Sequence, residues 1–224
     1  MAEKPEAFDC EVVGWGEVHK TVGSATDDVI ESNFNPTAIV GIARGGWVPA
    51  RQVADFLEKD NLTSMKIDHY QGTSKTKNAE VQFNTRPDAI DGEKVLLVDD
   101  IVDTGETVLE AIEDIEQGGA EEARSLTIHS LPSSNIQPDY IGEKYGSFRW
   151  VVYPWNVVED MNELIKNVVM DEQVSVETVK SRLEEYNGVT DDELSKLNYT
   201  VEEFVEILDK RDQLEYDGDE LEVV

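Results

Sequence analysis

A chain of 224 residues, 39% hydrophobic and 30% charged, is long enough for a real core, since a domain of about 150 residues hides roughly 68–70% of its unfolded surface. The single cysteine, Cys10, excludes an internal disulfide and any cysteine-cluster metal site. A net charge of −30, from 49 acidic against 19 basic residues spread along the chain, repels phosphate backbones and excludes nucleic acid as the default partner; it suits the hydrated, salt-screened surface of a protein in a high-salt cytoplasm.

The start, MAEKPEAFDCEVVGWGE, lacks the basic-then-apolar layout of a signal peptide, and no apolar run approaches the roughly 20 residues of a membrane helix. A cytoplasmic protein without a membrane partner is therefore expected. Val18, Val22, Ala25 and Val29 are spaced 4, 3 and 4, the stripe of an amphipathic helix. After Pro36, TAIVGIA reads as a short strand ending in Arg-Gly-Gly, followed by a helix from about Pro49 to Lys59 and a second strand in SMKIDHY. The polar stretch QGTSKTKNAEVQFNTRPDAIDGE is too long for an ordinary connection and reads as a functional loop or a small hairpin. KVLLV is the clearest buried strand, and VLEAIEDIEQGG the clearest helix, closed by Gly118 or Gly119. ARSLTIHSLP and FRWVVYP supply further strands. Strands alternating with helices predict an α/β fold, a parallel sheet flanked by helices, over residues 1–158.

Residues 159–224 form a separate acidic module. VETVKSRLEEY, TDDELSKLN and TVEEFVEILDKRDQ read as three helices, and QLEYDGDELEV as a hairpin turned at Asp217-Gly218. That outline is winged-helix-like, yet nineteen acidic against six basic residues between 161 and 224 favour a lid or oligomerisation module over a DNA reader.

VLLVDDIVDTGETV, residues 95–108, carries the chemistry. It delivers acids to the carboxyl end of a parallel strand, where such sheets bind ligands. Asp99 and Asp100 face opposite ways while a strand stays regular and converge past its end. Two unpaired carboxylates about 4 Å apart repel by roughly 4 kcal/mol at an effective dielectric of 20, so the pair wants a cation or hydroxyl donors. Thr104, Gly105, Glu106 and Thr107 then place a flexible turn at a helix N-terminus, where unpaired N–H groups, hydroxyls and the helix dipole suit a phosphate. Helix capping explains one Thr or Asp, not three acids and a glycine between hydroxyls. A phospho-acceptor receiver domain carries its paired aspartates near the start of the domain, whereas about 95 residues precede this pair.

VLLVDDIVDTGET resembles the phosphoribosyl-pyrophosphate signature of the type I phosphoribosyltransferases at all its key positions, and the similarity extends over about residues 36–157. GIARGGWVPAR resembles the pyrophosphate loop of the purine members, and RWVVYPWN their base-binding segment. The resemblance implies that Asp99 and Asp100 bind the ribose hydroxyls directly or through Mg²⁺. It implies that Asp103, Thr104, Gly105, Glu106 and Thr107 hold the 5-phosphate, with Asp103 also exchanging a proton with the base. It further implies that Ala43, Arg44 and Gly45 bind pyrophosphate, with a cis peptide between Ala43 and Arg44, and that Lys75 and Lys77 lie on a hood loop closing over pyrophosphate.

Trp150 matches the aromatic that stacks on the purine, and the backbone of Val151 would read the base edge. One position departs from the pattern: where the xanthine-guanine members place a lysine before a proline, this chain has Leu131 before Pro132. His129 and Ser130 are candidate substitutes for that contact to the base. The resulting expectation is a purine phosphoribosyltransferase acting with phosphoribosyl pyrophosphate and Mg²⁺, as a dimer, a 6-oxopurine being preferred over adenine. The alternative is a regulator that keeps the fold to sense the sugar phosphate without catalysis.

Overall fold

The computed structural model describes residues 4–69, 79–83, 87–170 and 172–223. Contacts divide the chain into a sheet unit, Gly16–Phe148, and a terminal unit made of Met1–Trp15 with Arg149–Val224. The expected boundary at 158/159 is not where these contacts divide the chain. The first strand, β1 (Cys10–Val12), belongs to the terminal unit.

The sheet unit follows the predicted alternation. Helix α1 (Trp15–Glu31) buries the stripe Val18, Val22, Ala25 and Val29. It leads to β2 (Ala38–Ala43), α2 (Trp47–Phe56), β3 (Leu62–His69), β4 (Ala79–Phe83) and the short α3 (Pro87–Ile90). Next come β5 (Lys94–Val102), α4 (Glu106–Gln117), β6 (Glu122–Ser130) and β7 (Tyr140–Lys144). The six strands pair in the order β4-β3-β2-β5-β6-β7, all parallel except β3 with β4. Helix α2 begins two residues before Pro49, a position proline tolerates because first-turn N–H groups lack helical partners.

Strand alternation gives the sheet two apolar faces. One face packs Val40, Ile42, Val95 and Leu97 with Val108, Ala111 and Ile115 of α4. Ile39, Leu96, Val98 and Leu126 are also fully buried. Gly41 lets α2 approach β2 closely: a Cβ there would stand 2.9 Å from Ala50 Cβ.

The terminal unit contains strands and a helix that the sequence reading placed differently or did not find. FRWVVYP yields β8 (Trp150–Val152), which pairs in parallel with β1 in a two-stranded sheet of its own, outside the six-stranded one. Helix α5 (Val157–Val169) follows, buried through Met161, Leu164, Ile165 and Val168. Then come β9 (Val174–Ser175), α6 (Val176–Asn187), α7 (Asp191–Ser195), α8 (Val201–Asp209), β10 (Leu214–Tyr216) and β11 (Glu220–Val223). Strands β10, β11 and β9 form an antiparallel sheet in that order. The three predicted helices and the hairpin are therefore present.

One apolar cluster runs from Val12 and Val152 through α5 to Phe204, Leu208 and Leu221. The N-terminal segment is stitched to it by a backbone bond from Phe8 N–H to Tyr186 C=O at 3.0 Å and by a side-chain bond from Lys196 Nζ to Val12 C=O at 3.2 Å. Lys180 donates to Glu202 and to Asp191 (2.9 Å), bonds that hold its ammonium above the ordinary lysine value. Among the described residues no helix is long and apolar enough to cross a membrane.

Candidate active site

The central strands set the location. Strand β2 lies beside β5, with β3 on its far side and β6 beyond β5. Sequential connections thus leave in opposite directions between β2 and β5, the switch point at which open parallel sheets hold ligands. The loops after both strands emerge there. Residues 43–46 leave β2 through a cis peptide between Ala43 and Arg44, as the resemblance implies. The next two glycines press on β5: a Cβ on Gly45 would sit 2.1 Å from Asp100 Oδ2, and one on Gly46 only 2.4 Å from Val98 C=O. A side chain at 46 would overlap backbone of β2 and β5, and one at 45 would displace the Asp100 carboxylate. Arg44 is exposed and Ala43 half-buried on this loop.

Strand β5 continues to Val102, so Asp99 and Asp100 lie within it and not beyond its end as expected. Each carboxylate folds forward onto the next peptide: Asp99 Oδ1 accepts from Asp100 N–H at 3.0 Å, and Asp100 Oδ1 from Ile101 N–H at 2.8 Å. Asp99 is half-buried and Asp100 only 8% exposed. Burial, then the Asp100 carboxylate, raise the Asp99 carboxyl well above the ordinary aspartate value, despite the backbone bond from Asp100 that lowers it. Such a pair binds a proton or a cation more strongly than an isolated carboxylate does.

At the end of β5 the chain turns through Asp103 and Thr104, both exposed, to Gly105 at φ +92°, which precedes the first turn of α4. No side chain caps this helix from Gly105; Thr104 Oγ1 accepts from Glu106 N–H at 3.4 Å. The opening N–H groups of α4 and the Thr104 and Thr107 hydroxyls thus form a turn suited to a phosphate. Glu106 is exposed and Thr107 half-buried.

Residues 131–136, which follow β6, fasten onto this turn. Leu131 N–H donates to Val102 C=O at 2.9 Å and Asn135 N–H to Thr104 C=O at 3.1 Å. Ser133 Oγ donates to Asp103 Oδ1. Ile136 covers Gly105, its Cγ1 standing 2.3 Å from where a Cβ would be. Ser133 and Ile136 were not singled out from the sequence. The one available signal was a polar PSSN segment placed directly after a strand.

The structure brings Ala43, Arg44, Gly45, Asp99, Asp100, Asp103, Thr104, Gly105, Glu106 and Thr107 to one edge of the sheet. Leu131 joins them from β6, with its side chain buried. Lys75 and Lys77 lie outside the described residues. Trp150 and Val151 belong to the terminal unit, where Trp150 is 41% exposed and donates its indole N–H to Asp160 Oδ1 at 3.1 Å. Of the two suggested substitutes for the missing lysine, His129 has no exposed surface, whereas Ser130 is 8% exposed, as Asp100 is. His129 is stacked on Tyr145 with ring centroids 5.0 Å apart. Burial lowers the His129 imidazole to about 4.

Residues 14–160 match the family model described as the phosphoribosyl transferase domain. The xanthine-guanine phosphoribosyltransferase of Desulfotalea psychrophila is 26% identical over 144 residues, covering 64% of this chain and 84% of that protein. The transcriptional regulator GfcR of Methanobrevibacter smithii is 32% identical over 128 residues, covering 53% and 64%. Among solved structures, the purine phosphoribosyltransferase from Pyrococcus horikoshii superposes with a TM-score of 0.58 at 26% identity, covering 66% of this chain and 94% of that one. With the model spanning most of the chain and the fold arranged around the same signature, this chain belongs to the phosphoribosyl transferase family, with the type I α/β fold.

Proposed function

We propose that the chain is a purine phosphoribosyltransferase of nucleotide salvage, joining a purine base to phosphoribosyl pyrophosphate to give the nucleoside 5'-monophosphate and pyrophosphate. The observation that carries this reading is the meeting of three elements at one sheet edge. These are the glycine-lined loop at 43–46, the carboxylates of Asp99 and Asp100, and the hydroxyl-and-glycine turn at 103–107. Relatives named for xanthine-guanine and purine substrates support the purine branch.

In this reading Thr104 to Thr107 bind the 5-phosphate, and Asp99 with Asp100 face the ribose hydroxyls near the developing ribosyl cation. Arg44 and the backbone of Ala43 and Gly45 hold the leaving pyrophosphate, while Asp103 exchanges a proton with the base. Displacement at C1 by the purine N9 runs through a loose, cationic transition state. Lys75 and Lys77 on pyrophosphate, and Trp150 with Val151 on the base, enter through the family resemblance. Asp99 and Asp100 would hold Mg²⁺: they are two adjacent hard-oxygen donors, burial and the Asp100 carboxylate raise the Asp99 carboxyl, a cation would relieve that repulsion, and substrate oxygens and water would supply its other ligands. When bound, it would neutralise charge on the departing pyrophosphate.

A 6-oxopurine is the first choice of base and adenine the second, because Leu131 occupies the position of the expected lysine. A homodimer in a salt-rich cytoplasm completes the proposal, with the acidic C-terminal module as lid or oligomerisation element and no nucleic acid partner. The test is a turnover assay with Mg²⁺ and phosphoribosyl pyrophosphate against adenine, hypoxanthine, guanine, xanthine and uracil, at low and at multimolar salt. Nucleotide formed from a purine supports the reading; none formed from any base overturns it. The resemblance to a transcriptional regulator motivates a second reading, in which the site senses the sugar phosphate without turnover. Binding of phosphoribosyl pyrophosphate with no nucleotide formed would favour it.

A further inference from the structure

Asp103 is exposed on a turn whose next-but-one residue is a glycine at positive φ, so its local backbone does little to fix the carboxylate. The 131–136 loop does. Its own position is set by backbone bonds on both sides of Asp103: Leu131 N–H to Val102 C=O at 2.9 Å and Asn135 N–H to Thr104 C=O at 3.1 Å. The loop is braced internally, Ser134 N–H donating to Leu131 C=O at 3.2 Å and Ser134 Oγ to Ile136 C=O at 2.7 Å. Ile136 then fills the space over Gly105. From this platform Ser133 Oγ donates to Asp103 Oδ1.

We infer that Ser133 is a positioning residue for Asp103, holding Oδ1 so that Oδ2 is the oxygen presented to the base. The inference rests on the proposed role of Asp103 in base proton exchange. A hydroxyl donor to a carboxylate selects one rotamer of an otherwise mobile acid, and catalytic proton transfer is sensitive to such placement. Leu131 leaves this loop without the cation expected before Pro132. The bond from Ser133 gives the loop a contact to the reacting edge of the site by another route.

The test compares the full-length wild type, Ser133→Ala, Ser133→Thr, Asp103→Asn and the double variant Ser133→Ala/Asp103→Asn, with Mg²⁺, phosphoribosyl pyrophosphate and the best purine. The expected result is a kcat lowered about 10-fold in Ser133→Ala, with the Kd for phosphoribosyl pyrophosphate by calorimetry and the Tm unchanged. Ser133→Thr, which keeps the hydroxyl, restores most of the rate. The double variant is no slower than Asp103→Asn alone, as expected of two residues that act as one unit.

A wild-type rate in Ser133→Ala overturns the inference. So does a further 10-fold loss when Ser133→Ala is added to Asp103→Asn, because Ser133 would then act independently. Weakened donor binding and a lowered Tm that accompany the slower rate assign Ser133 a structural role and overturn it too. Each of these outcomes leaves the wild-type reaction in place, and with it the proposed function; a wild type that converts no purine removes both.

Discussion

The sheet unit and the terminal unit begin their helices in opposite ways. In the sheet unit α2 and α4 start from Gly46 and Gly105, neither of which offers a side-chain cap. In the terminal unit α6, α7 and α8 start from Ser175, Thr190 and Thr200, whose oxygens accept from the N–H of Thr178, Glu193 and Glu203. At α8 Glu203 returns the bond to Thr200 N–H at 2.9 Å, completing a capping box. A cap oxygen satisfies an N–H that would otherwise face water or an anion. Helices α6, α7 and α8 satisfy it with the cap residue's own oxygen, whereas α2 and α4 begin at glycines that bring the backbone close, Trp47 N–H donating to Arg44 C=O at 3.3 Å and Glu106 N–H to Thr104 Oγ1 at 3.4 Å; in the proposed function these two starts face phosphate. Helix α5 is the exception in the terminal unit: Asn156 makes no side-chain cap, and the first-turn acid Asp160 accepts the Trp150 indole instead.

If the contrast holds, changes to exposed side chains at the sheet edge alter chemistry at little cost in stability, whereas changes at its packed glycines cost stability as well. The largest effect is expected from Asp103→Asn, which keeps the shape but removes the group to which the proposed function gives the proton exchange with the base. Turnover should fall by about 10²- to 10³-fold with donor binding and Tm near the wild-type values. Steady-state kinetics beside calorimetry checks this; unchanged turnover takes Asp103 out of its role.

The sheet unit also carries a stability cost of its own in His129. Its folded value, about 4, lies below the unfolded value near 6.5. Between these limits the unfolded state binds more protons, so stability is lost as pH falls from about 6.5 towards 4, by up to about 3 kcal/mol. The raised Asp99 acts with the opposite sign, binding its proton in the folded state first. Thermal unfolding of wild type and His129→Leu across that range separates the two, and the variant should show the shallower loss. Equal slopes would remove His129 as the cause.

Gly105→Ala tests the open helix start itself. The new methyl meets Ile136 Cγ1 at 2.3 Å and must adopt φ +92°, so a loss of about 2 kcal/mol in stability and weaker donor binding are expected. Adding Ile136→Ala should recover part of the stability by removing the clash, leaving the backbone strain. Recovery of nothing would mean that φ alone decides this position.

Much of this contrast was legible because it is local. The signature on β5 combines a buried-strand pattern with acids and a glycine turn, and α1 announces itself by spacing. What escaped depends on distant partners. Trp150–Val152 reads like any short buried strand, and only Cys10–Val12, three residues with no periodicity of their own, draws it out of the main sheet. Tyr140–Lys144 is a five-residue strand at the sheet edge, too short and too polar for a pattern. Helix α5 runs across the expected boundary at 158/159, so a division drawn at the shift in composition cut it in two. His129 illustrates the same limit at the site: one residue from Ser130 and two from Leu131, it could be read as reaching the base, yet it is fully buried and stacked on Tyr145, a partner that follows β7.

The smallest expected effect probes the other side of the comparison. Thr200→Ala removes one half of the α8 capping box: the hydroxyl that accepts from Glu203 N–H and donates to Glu203 Oε2 is lost, while the backbone N–H of residue 200 keeps its bond to Glu203. Caps of this kind contribute about 1 kcal/mol. Helix α8 places Phe204, Val205 and Leu208 in the terminal core, so the loss should appear as a lower Tm and faster amide exchange in α8. Turnover measured well below that Tm should remain at the wild-type value, because no residue assigned to the substrate lies on this helix. Unchanged unfolding would show that core packing, and not the cap, holds the helix start. A fall in turnover without a fall in stability would tie this module to the chemistry and end the separation between helices capped for stability and helices left open for a ligand.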